Sequence, residues 1–292
     1  FYLLPEPLRR GEFLTNYCSK NTCNYIFNCF LLFFSKKIFR LNMIPKLIHY
    51  CWFGRNPLPA DALKYIESWK KFFPEYEIKE WNEDNFDVNI IPYTREAYKA
   101  RKYAFVSDYA RFWILYKYGG LYFDTDVEVI KPMDDIVKAG SFMGFEVDPC
   151  ANRPMGAVAP GLGLGVTPGL ALYKEILDYY TQQTFELGVK SVTVVTHTTN
   201  VLKRQGLKSY SGIQDVAGVR IYPSEYFNPF DDGTGKLYIT KNTRTIHWYS
   251  KTWIDPKIKW RIGITRMVHR AIGSGVTSRI RKFLEKKLNR KI

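Results

Sequence analysis

The stretch Tyr118–Ile130 reads YGGLYFDTDVEVI, and it places two carboxylates, Asp124 and Asp126, within an apolar segment that follows a Gly-Gly pair. The Gly-Gly pair is a strong stop signal for the preceding helix, and the β-branched and aromatic residues of 121–130 predict a strand. Alternate side chains of a strand point to the same side, so these two carboxylates should lie together, with Cβ atoms roughly 7 Å apart. Carboxylates at the end of a buried strand are costly unless something neutralises them. We therefore expect them to hold Mg²⁺ or Mn²⁺, which would bridge to a substrate diphosphate.

An Asp-x-Asp motif alone is weak evidence, because chance supplies about 0.7 per chain of this Asp content. The alternative interpretation is a pair of Asp residues in a turn or at a helix cap. The apolar segment and the Gly-Gly stop before the motif favour the metal site, since ligands of open α/β sheets bind just beyond the carboxyl ends of strands.

The flanking sequence alternates between strand and helix patterns. Residues 46–53 and 76–81 predict strands, and residues 60–73 and 94–118 predict helices that stop at a proline and at the Gly-Gly pair. This order is typical of an α/β domain with a largely parallel sheet. Further along the chain we expect a glycine-rich loop, a helix, an ambiguous segment, and short strands and turns, in that order over 161–169, 170–181, 191–203 and 218–253.

Composition excludes several classes of protein. The 292 residues are 46% hydrophobic and 24% charged, which is ordinary for a globular protein and excludes wholesale disorder. No run approaches 18 consecutive apolar residues, so a standard membrane-spanning helix is not expected. The five cysteines form no CxxC motif, which argues against a zinc module or a disulfide framework and favours a reducing, cytoplasmic compartment.

The formal charge of +15 lies at the two ends of the chain. Residues 1–42 carry a net +4, residues 256–292 carry twelve Lys or Arg and one acid, and residues 43–255 are neutral overall. A nucleic-acid enzyme more often carries positive charge across its working face. We therefore predict a single catalytic domain over 43–255, with no nucleic-acid partner.

The two ends have different interpretations. Residues 276–292 place apolar side chains on one helical face among many basic ones, which predicts a basic amphipathic tail on an anionic membrane surface. The alternative is a docked helix with a solvated basic face. Residues 1–42 are either a weak membrane-associated segment or an extension before a native start at Met43.

Asp108 and Arg111 lie on the predicted helix that leads into the Asp-x-Asp strand. Their i,i+3 spacing places them on one face. They form either a simple salt bridge within the helix, which would contribute little to stability, or a pair that points into the cleft and holds sugar hydroxyls. The spacing alone does not decide between these interpretations.

Three segments in this order resemble the bacterial DXD-containing sugar transferases of glycosyltransferase family 32. They are MIPKLIHYCWFG from Met43, FVSDYARFWILYKYGGLYFDTDVEVIKP, and YPSEYFNPF followed by TIHWYSKTW. The family includes capsular and lipopolysaccharide glycosyltransferases, and it is similar to the yeast initiating mannosyltransferases and to the catalytic domain of clostridial glucosylating toxins. The resemblance implies a GT-A-type, Rossmann-like mixed sheet flanked by helices, a nucleotide-sugar donor, a divalent metal and retention of anomeric configuration.

The resemblance also assigns roles to the residues that carry it. Trp52 corresponds to the aromatic residue that stacks on the donor base, and Asp108 with Arg111 to the pair that binds the donor sugar. Asp124 is expected to contact the ribose, the sugar or a metal-bound water, and Asp126 to ligate the metal directly.

His247, Thr252 and Trp253 belong to the late motif that closes over the diphosphate. The family often has Ser where Thr252 stands, and Arg244 occupies a position where an aromatic is more usual. His247 is expected to complete the metal site or to contact the diphosphate, and its imidazole would favour Mn²⁺ over Mg²⁺. The other interpretation is a structural histidine at the end of a strand.

The expected activity is therefore transfer of a sugar, from a UDP-linked donor, to a glycan or lipid-linked glycan. It would take place at the inner face of a bacterial cytoplasmic membrane during capsule, lipopolysaccharide or exopolysaccharide synthesis. The alternatives are a nucleotidyltransferase, a glycoside hydrolase that uses Asp124 and Asp126 as its carboxylate pair, and a non-catalytic protein that binds membranes or nucleic acid.

Overall fold

The computed structural model describes residues 43–186, 193–250 and 264–267. The proposed N-terminal segment 1–42 and the basic tail 276–292 lie outside these described residues. Within the described ranges, no helix has the length and apolar character needed to cross a bilayer.

The described strands are short, and most of them are largely buried. They are β1 (Leu47–Cys51), β2 (Glu77–Trp81), β3 (Gly120–Tyr122), β4 (Val127–Val129), β5 (Phe142–Val147), β6 (Ala157–Val158), β7 (Leu164–Val166), β8 (Gln214–Val216), β9 (Val219–Tyr222), β10 (Phe230–Asp231), β11 (Lys236–Leu237) and β12 (Thr245–His247).

The described helices include the three predicted segments, 60–73, 94–118 and 170–181, and add short helices that the sequence did not predict. They are α1 (Ala60–Phe72), α2 (Pro92–Lys99), α3 (Tyr103–Tyr118), α4 (Asp134–Lys138), α5 (Ala171–Thr181), α6 (Val194–Arg204) and α7 (Ser224–Phe227). The segment 191–203 was ambiguous in sequence, and its residues from Val194 onward lie in α6.

The central sheet has the order β2-β1-β3-β7-β5-β9-β8, and β6 pairs with β5. β1 runs parallel to β2 and β3, whereas β7 runs antiparallel to β3 and β5, and β8 runs antiparallel to β9. β5 also runs parallel to β9, so β1, β2, β3, β5 and β9 share one direction, and β7 and β8 run in the opposite one. The largely parallel sheet that the strand-helix pattern predicts is therefore interrupted by two antiparallel strands. The mixed sheet flanked by helices, which the family resemblance implies, is confirmed.

Two predicted elements are interrupted. The single helix expected over 94–118 is broken between α2 and α3, because Arg101 adopts a left-handed φ of 56° and the N–H of Lys102 bonds back to the carbonyl of Ala97. The single strand expected over 121–130 is divided into β3 and β4.

The core lies on both faces of the sheet. Leu121 and Phe123 pack into one buried cluster and Tyr122 into the other, as expected when neighbouring side chains of a strand point to opposite faces. All three side chains are at most 1% exposed. The segment that leads into the Asp-x-Asp motif is therefore held by buried side chains on both faces of the sheet.

The Gly-Gly pair makes the sharp connection from α3 to β3. Gly119 and Gly120 have φ values of 65° and 99°, in the region that favours glycine. A Cβ on Gly119 would lie 2.7 Å from the Cδ of Pro168, and one on Gly120 would lie 2.7 Å from the carbonyl oxygen of Leu47. The pair thus both ends the helix and lets β3 lie close to β1.

Candidate active site

Asp124 and Asp126 lie in the turn between β3 and β4 and not on one continuous strand. The N–H of Val127 donates to the Asp124 carbonyl at 3.0 Å and closes the turn. The argument from strand alternation was therefore wrong in detail. The turn nevertheless brings the two carboxylates together. It follows the carboxyl end of β3, an interior strand, and ligands bind beyond the carboxyl ends of strands in open α/β folds.

His247 reaches the same place from the far end of the chain. It is the last residue of β12, which pairs antiparallel with β4 so that His247 lies opposite Val127. The β4 strand is held in turn by Trp69, whose indole N–H donates to the Val127 carbonyl at 2.8 Å. The two-stranded pairing fixes the imidazole beside Asp126, and its Nε2 lies 3.1 Å from the Asp126 Oδ1.

Asp124, Asp126 and His247 each offer a ligand atom, and these atoms all lie within 4.8 Å of one another. Two carboxylates and one imidazole form a donor set that suits Mn²⁺. The Nδ1 of His247 is also buried without a hydrogen-bond partner among the described residues. A buried polar atom without a partner is costly, so the site fits a bound ion and its water ligands.

The electrostatics of the cluster favour charge on both Asp126 and His247. Burial opposes ionisation of Asp126, but the adjacent imidazole and the N–H of Ser250, which donates to Oδ2 at 2.8 Å, outweigh it and hold the Asp126 pKa below its usual value. Burial likewise opposes the charged form of His247, yet Asp126 raises the His247 pKa above its usual value. Asp126 and His247 therefore each stabilise the charged form of the other.

Arg111 links the helix α3 to the Asp-x-Asp turn. Its Nη2 donates to the Asp108 Oδ1 at 2.8 Å and its Nη1 to the Asp124 Oδ2 at 3.3 Å, while its side chain is only 4% exposed. Burial tends to lower the Arg111 pKa, but Asp124, Tyr122 and Asp108 raise it, so the guanidinium stays charged. The pair is more than a surface salt bridge, because it orients a carboxylate of the site.

Asp108 lies deeper than Asp124. Burial raises the Asp108 pKa to about 7, although the Arg111 charge acts in the opposite direction. A carboxylate whose pKa is shifted by burial and that lies beside a charged partner is typical of functional sites.

Gly161, from the glycine-rich loop, forms one wall of the site. Its carbonyl accepts a hydrogen bond from the Asp124 N–H at 3.2 Å. The sequence indicated that this loop is not a phosphate-binding loop but gave no reason to place it against the Asp-x-Asp turn. The contact depends on strand pairing between β3 and β7, which follows Gly161 closely in the chain.

Tyr249 and Ser250 are site residues that the sequence analysis did not single out. The Tyr249 ring lies 4.1 Å from the His247 ring, and its hydroxyl bonds to Glu146 at 3.0 Å and to Asn228 at 2.9 Å. Tyr249 also has a left-handed φ of 49°, a conformation that non-glycine residues adopt rarely and often at functional sites. The signal in the sequence that could have identified Tyr249 and Ser250 is that they follow His247 within three residues.

Of the remaining candidates, Trp52 lies among the described residues. Trp52 directly follows β1, is half-buried, and donates its indole N–H to the Asn56 carbonyl at 2.6 Å, so one edge of the ring is anchored. Thr252 and Trp253 lie outside the described residues, and their roles stay predictions.

Two residues have structural explanations. His49 is 1% exposed and is bonded on both ring nitrogens, to Gly119 and Trp81, as expected for a structural histidine. Arg244 donates to Asp135 of α4 at 2.8 Å. This ion pair accounts for a basic residue at a position where an aromatic is more usual in the family.

Comparison with known proteins finds similarity to glycosyltransferases. Residues 59–143 match the family described as "Glycosyltransferase sugar-binding region containing DXD motif". An uncharacterized glycosyltransferase of Acanthamoeba polyphaga mimivirus is 27% identical over 207 residues, which cover 68% of this chain and 77% of that protein. Inositol phosphoceramide mannosyltransferase 3 of Schizosaccharomyces pombe is 32% identical over 98 residues, or 32% of this chain and 27% of that protein.

Among solved structures, the galactosyltransferase LgtC in complex with donor and acceptor sugar analogs aligns with a TM-score of 0.43 at 12% identity, over 75% of this chain and 93% of that one. The matched family region contains Asp108, Arg111, Asp124 and Asp126. Residues 59–143 of this chain are therefore similar to the DXD-containing sugar-binding region of glycosyltransferases.

Proposed function

We propose that the chain transfers a sugar from a UDP-linked donor to a glycan or lipid-linked glycan acceptor during synthesis of a bacterial surface polysaccharide, with retention of anomeric configuration. The observation that carries the proposal is the convergence of Asp124, Asp126 and His247, within 4.8 Å, at the DXD turn. A donor set of this kind, beside a sugar-binding region, suits the diphosphate of a nucleotide sugar.

Each residue has a role that follows from its position. Asp126 and His247 would hold the metal directly, and Asp124 would bind it directly or through water. When bound, the ion supplies positive charge that offsets the charge developing on the leaving diphosphate. Asp108 and Arg111 would orient the donor sugar so that the acceptor hydroxyl lies near the anomeric carbon.

The donor base would stack on Trp52, whose ring is anchored through its indole N–H. Thr252 and Trp253 would close over the diphosphate from the segment after His247. Their proximity in sequence to His247 and Ser250 supports this role, and a Trp253→Ala variant with a raised donor KM would test it.

The hydrogen bonds of the site favour a front-face displacement. One oxygen of Asp124 accepts a hydrogen bond from the Tyr122 hydroxyl at 3.1 Å, and the other accepts one from Arg111. One oxygen of Asp126 contacts His247, and the other accepts a hydrogen bond from the Ser250 N–H. Neither carboxylate is therefore poised as a covalent nucleophile. In a front-face reaction the leaving phosphate oxygen takes the proton of the acceptor hydroxyl as the new glycosidic bond forms.

The experiment is a nucleotide-release assay on purified protein with a panel of UDP-sugars and GDP-sugars, with Mn²⁺ and with EDTA. We expect slow Mn²⁺-dependent cleavage of one UDP-sugar, lost in Asp126→Asn. The matched control is Asp134→Asn, an exposed Asp of α4. A ¹H NMR spectrum of the transfer product would show whether the anomeric configuration of the donor is retained.

The other outcomes separate the alternatives. Cleavage of a GDP-sugar alone would overturn the UDP assignment but keep the transferase. Release of pyrophosphate would indicate a nucleotidyltransferase, and hydrolysis of glycosides that EDTA does not affect would indicate a glycoside hydrolase. Absence of metal-dependent turnover with every donor would contradict the proposed function.

We further propose that the protein is peripheral on the inner face of the cytoplasmic membrane, held by residues 276–292. The charge pattern of that segment supports this placement. Deleting 276–292 should release the protein from anionic liposomes and leave donor cleavage intact. Retained liposome binding, or equal binding of the full chain to neutral liposomes, would contradict the role of the tail.

A further inference from the structure

A cavity of about 520 Å³ opens next to the candidate active site. Its wall includes Glu146 at the end of β5, Asn228 and Phe230 after α7, Tyr238 after β11, and Tyr249. A cavity of this size accommodates a small organic molecule or a sugar unit.

Tyr249 separates the cavity from the metal-binding cluster. One side of its ring lies against His247, with centroids 4.1 Å apart, and its hydroxyl bonds to Glu146 and Asn228 in the cavity wall. A molecule in the cavity would therefore be separated from the proposed metal ligand His247 by the Tyr249 ring alone. A second substrate bound here would lie beside a donor held at Asp124 and Asp126.

The polar groups of the wall suit a ligand that donates hydrogen bonds. Glu146 uses Oε1 to accept from Tyr249, while its Oε2 accepts no bond from the described residues. The Oδ1 of Asn228 is buried and likewise has no partner among them. Carboxylate and amide oxygens only accept hydrogen bonds, so both call for hydroxyl or amine donors from a ligand.

The aromatic groups suit the apolar face of a sugar ring. Tyr238 is 58% exposed and Phe230 is 8% exposed, and both line the cavity with Tyr249. An exposed aromatic side chain beside hydrogen-bond acceptors provides a flat apolar surface and a polar rim in one site.

The charge of the wall restricts the class of ligand. Among the described residues that line the cavity, five are carboxylates and none is a Lys or Arg; the carboxylates are Glu146, Asp148, Glu225, Asp231 and Asp232. Arg266 offsets the charge of Asp232, and Ser224 donates hydrogen bonds to Asp148 without changing its charge. The wall therefore remains predominantly negative. A phosphate or carboxylate placed there would meet like charge, which disfavours binding.

We propose that this cavity is the acceptor site and that it takes an uncharged polyhydroxylated ligand, the end of a glycan without phosphate or carboxylate next to the reacting hydroxyl. The proposal rests on the proposed function, because it assigns the second substrate of the same transfer. It goes further in naming the residues that bind this substrate and the charge that selects it.

The test compares acceptors that differ only in charge. Methyl glucoside and methyl galactoside are matched with their uronic acids, in which a carboxylate replaces the CH₂OH group. We expect transfer to the neutral member of each pair to be preferred by about tenfold in kcat/KM. In Glu146→Gln and Glu225→Lys the preference should shrink toward unity, because each variant removes or reverses negative charge in the wall.

The ratio of the two acceptors is measured with the same variant, so a general loss of activity cancels. Glu96→Gln and Glu96→Lys make the same changes on α2, away from the cavity lining, and should retain the wild-type ratio. Equal or better use of the uronic acids by the wild type would overturn the proposal. An unchanged ratio in both cavity variants would overturn it as well.

A binding measurement keeps this proposal separate from the proposed function. Saturation-transfer NMR with methyl glucoside and methyl galactoside, with and without UDP and Mn²⁺, reports on the cavity even if no donor is cleaved. We expect signals from at least one neutral glycoside that weaken in Tyr238→Ala and are absent with the uronic acids. Absence of any signal from the neutral glycosides would overturn the acceptor site, whereas glycoside binding without donor cleavage would overturn the proposed function alone.

Discussion

Gly161 lies against Asp124 with no room for a side chain between them. A Cβ at Gly161 would lie 1.9 Å from the Asp124 Oδ2 and 3.2 Å from the Arg111 Nη1. No real Cβ comes this close to another atom, so any substitution must displace the carboxylate or the loop. The loop backbone therefore sets the position of a proposed metal ligand.

We predict that Gly161→Ala lowers donor cleavage by about 100-fold, because a displacement of roughly 1 Å at a reacting centre costs that much. It should also weaken Mn²⁺ binding. Gly206→Ala is the control for an added methyl group outside the site: no atom lies within 4 Å of it, and its φ of 101° means that the change strains only the local backbone. It should therefore lower stability and leave donor cleavage and Mn²⁺ binding unchanged. Equal activity of Gly161→Ala and wild type would show that the turn relaxes around the methyl group.

Arg111 is the second support of the turn, and its removal leaves two carboxylates without a counter-charge. Arg111→Met should reduce the free energy of unfolding by about 3–5 kcal/mol, the usual cost of breaking a buried ion pair. Because Asp108 is the more buried carboxylate, adding Asp108→Asn should recover part of this loss. Urea unfolding of the single and double variants checks the expectation, and strictly additive losses would contradict it.

Metal binding should be visible without catalysis. A ligand that binds only the folded state at 100 times its Kd stabilises a protein by about 2.7 kcal/mol. Mn²⁺ should therefore raise the Tm of the wild type, and EDTA should reverse the effect. His247→Ala and Asp126→Asn should lose the shift, while Asp134→Asn should keep it. A shift that persists in both site variants would place the ion elsewhere.

The sequence predicted the components of the site better than their arrangement. The Asp-x-Asp motif was identified from residue type and spacing, whereas the roles of Asp108, Arg111 and His247 were implied by the family resemblance. The structure places these residues next to one another. The alternation argument nevertheless failed, because β3 ends at Tyr122 and the motif forms a turn. Local propensity shows where a strand begins more clearly than which of its residues remain paired.

The contacts that the sequence did not predict all depend on tertiary structure. Gly161 reaches Asp124 only because β7 pairs antiparallel with β3, and Tyr249 reaches Glu146 only because β12 pairs with β4. The mixed direction of the sheet was likewise not readable from the order of strands and helices. Such pairings are set by packing between segments far apart in the chain, which periodicity does not reveal.

His49 links β1, β2 and the α3 terminus through a neutral imidazole. Its Nε2 bonds to the Gly119 carbonyl at 3.0 Å, and its Nδ1 accepts from the Trp81 indole N–H at 3.0 Å. A protonated ring could not accept from Trp81. Burial, only partly opposed by the Gly119 bond, lowers the His49 pKa to about 4 from its usual 6.5.

The sign of the effect follows from these two pKa values. The unfolded chain binds the proton more readily, so His49 contributes stability that is present above pH 6.5 and is lost as the pH falls toward 4. At pH 5 the loss is about 2 kcal/mol. Asp108 acts in the opposite direction, because burial raises its pKa and the folded state then binds its proton more readily.

The measurement is therefore a difference between two proteins at each pH. The free energy of unfolding of the wild type and of His49→Gln should be measured in urea from pH 7.5 to pH 5. His49→Gln should be less stable at pH 7.5, because the buried bonds are disturbed, and the gap should narrow by about 2 kcal/mol toward pH 5. Asp108 and the other groups are common to both proteins and cancel in the difference. Parallel stability curves would mean that His49 keeps an ordinary pKa, and that the Trp81 contact does not require a neutral ring.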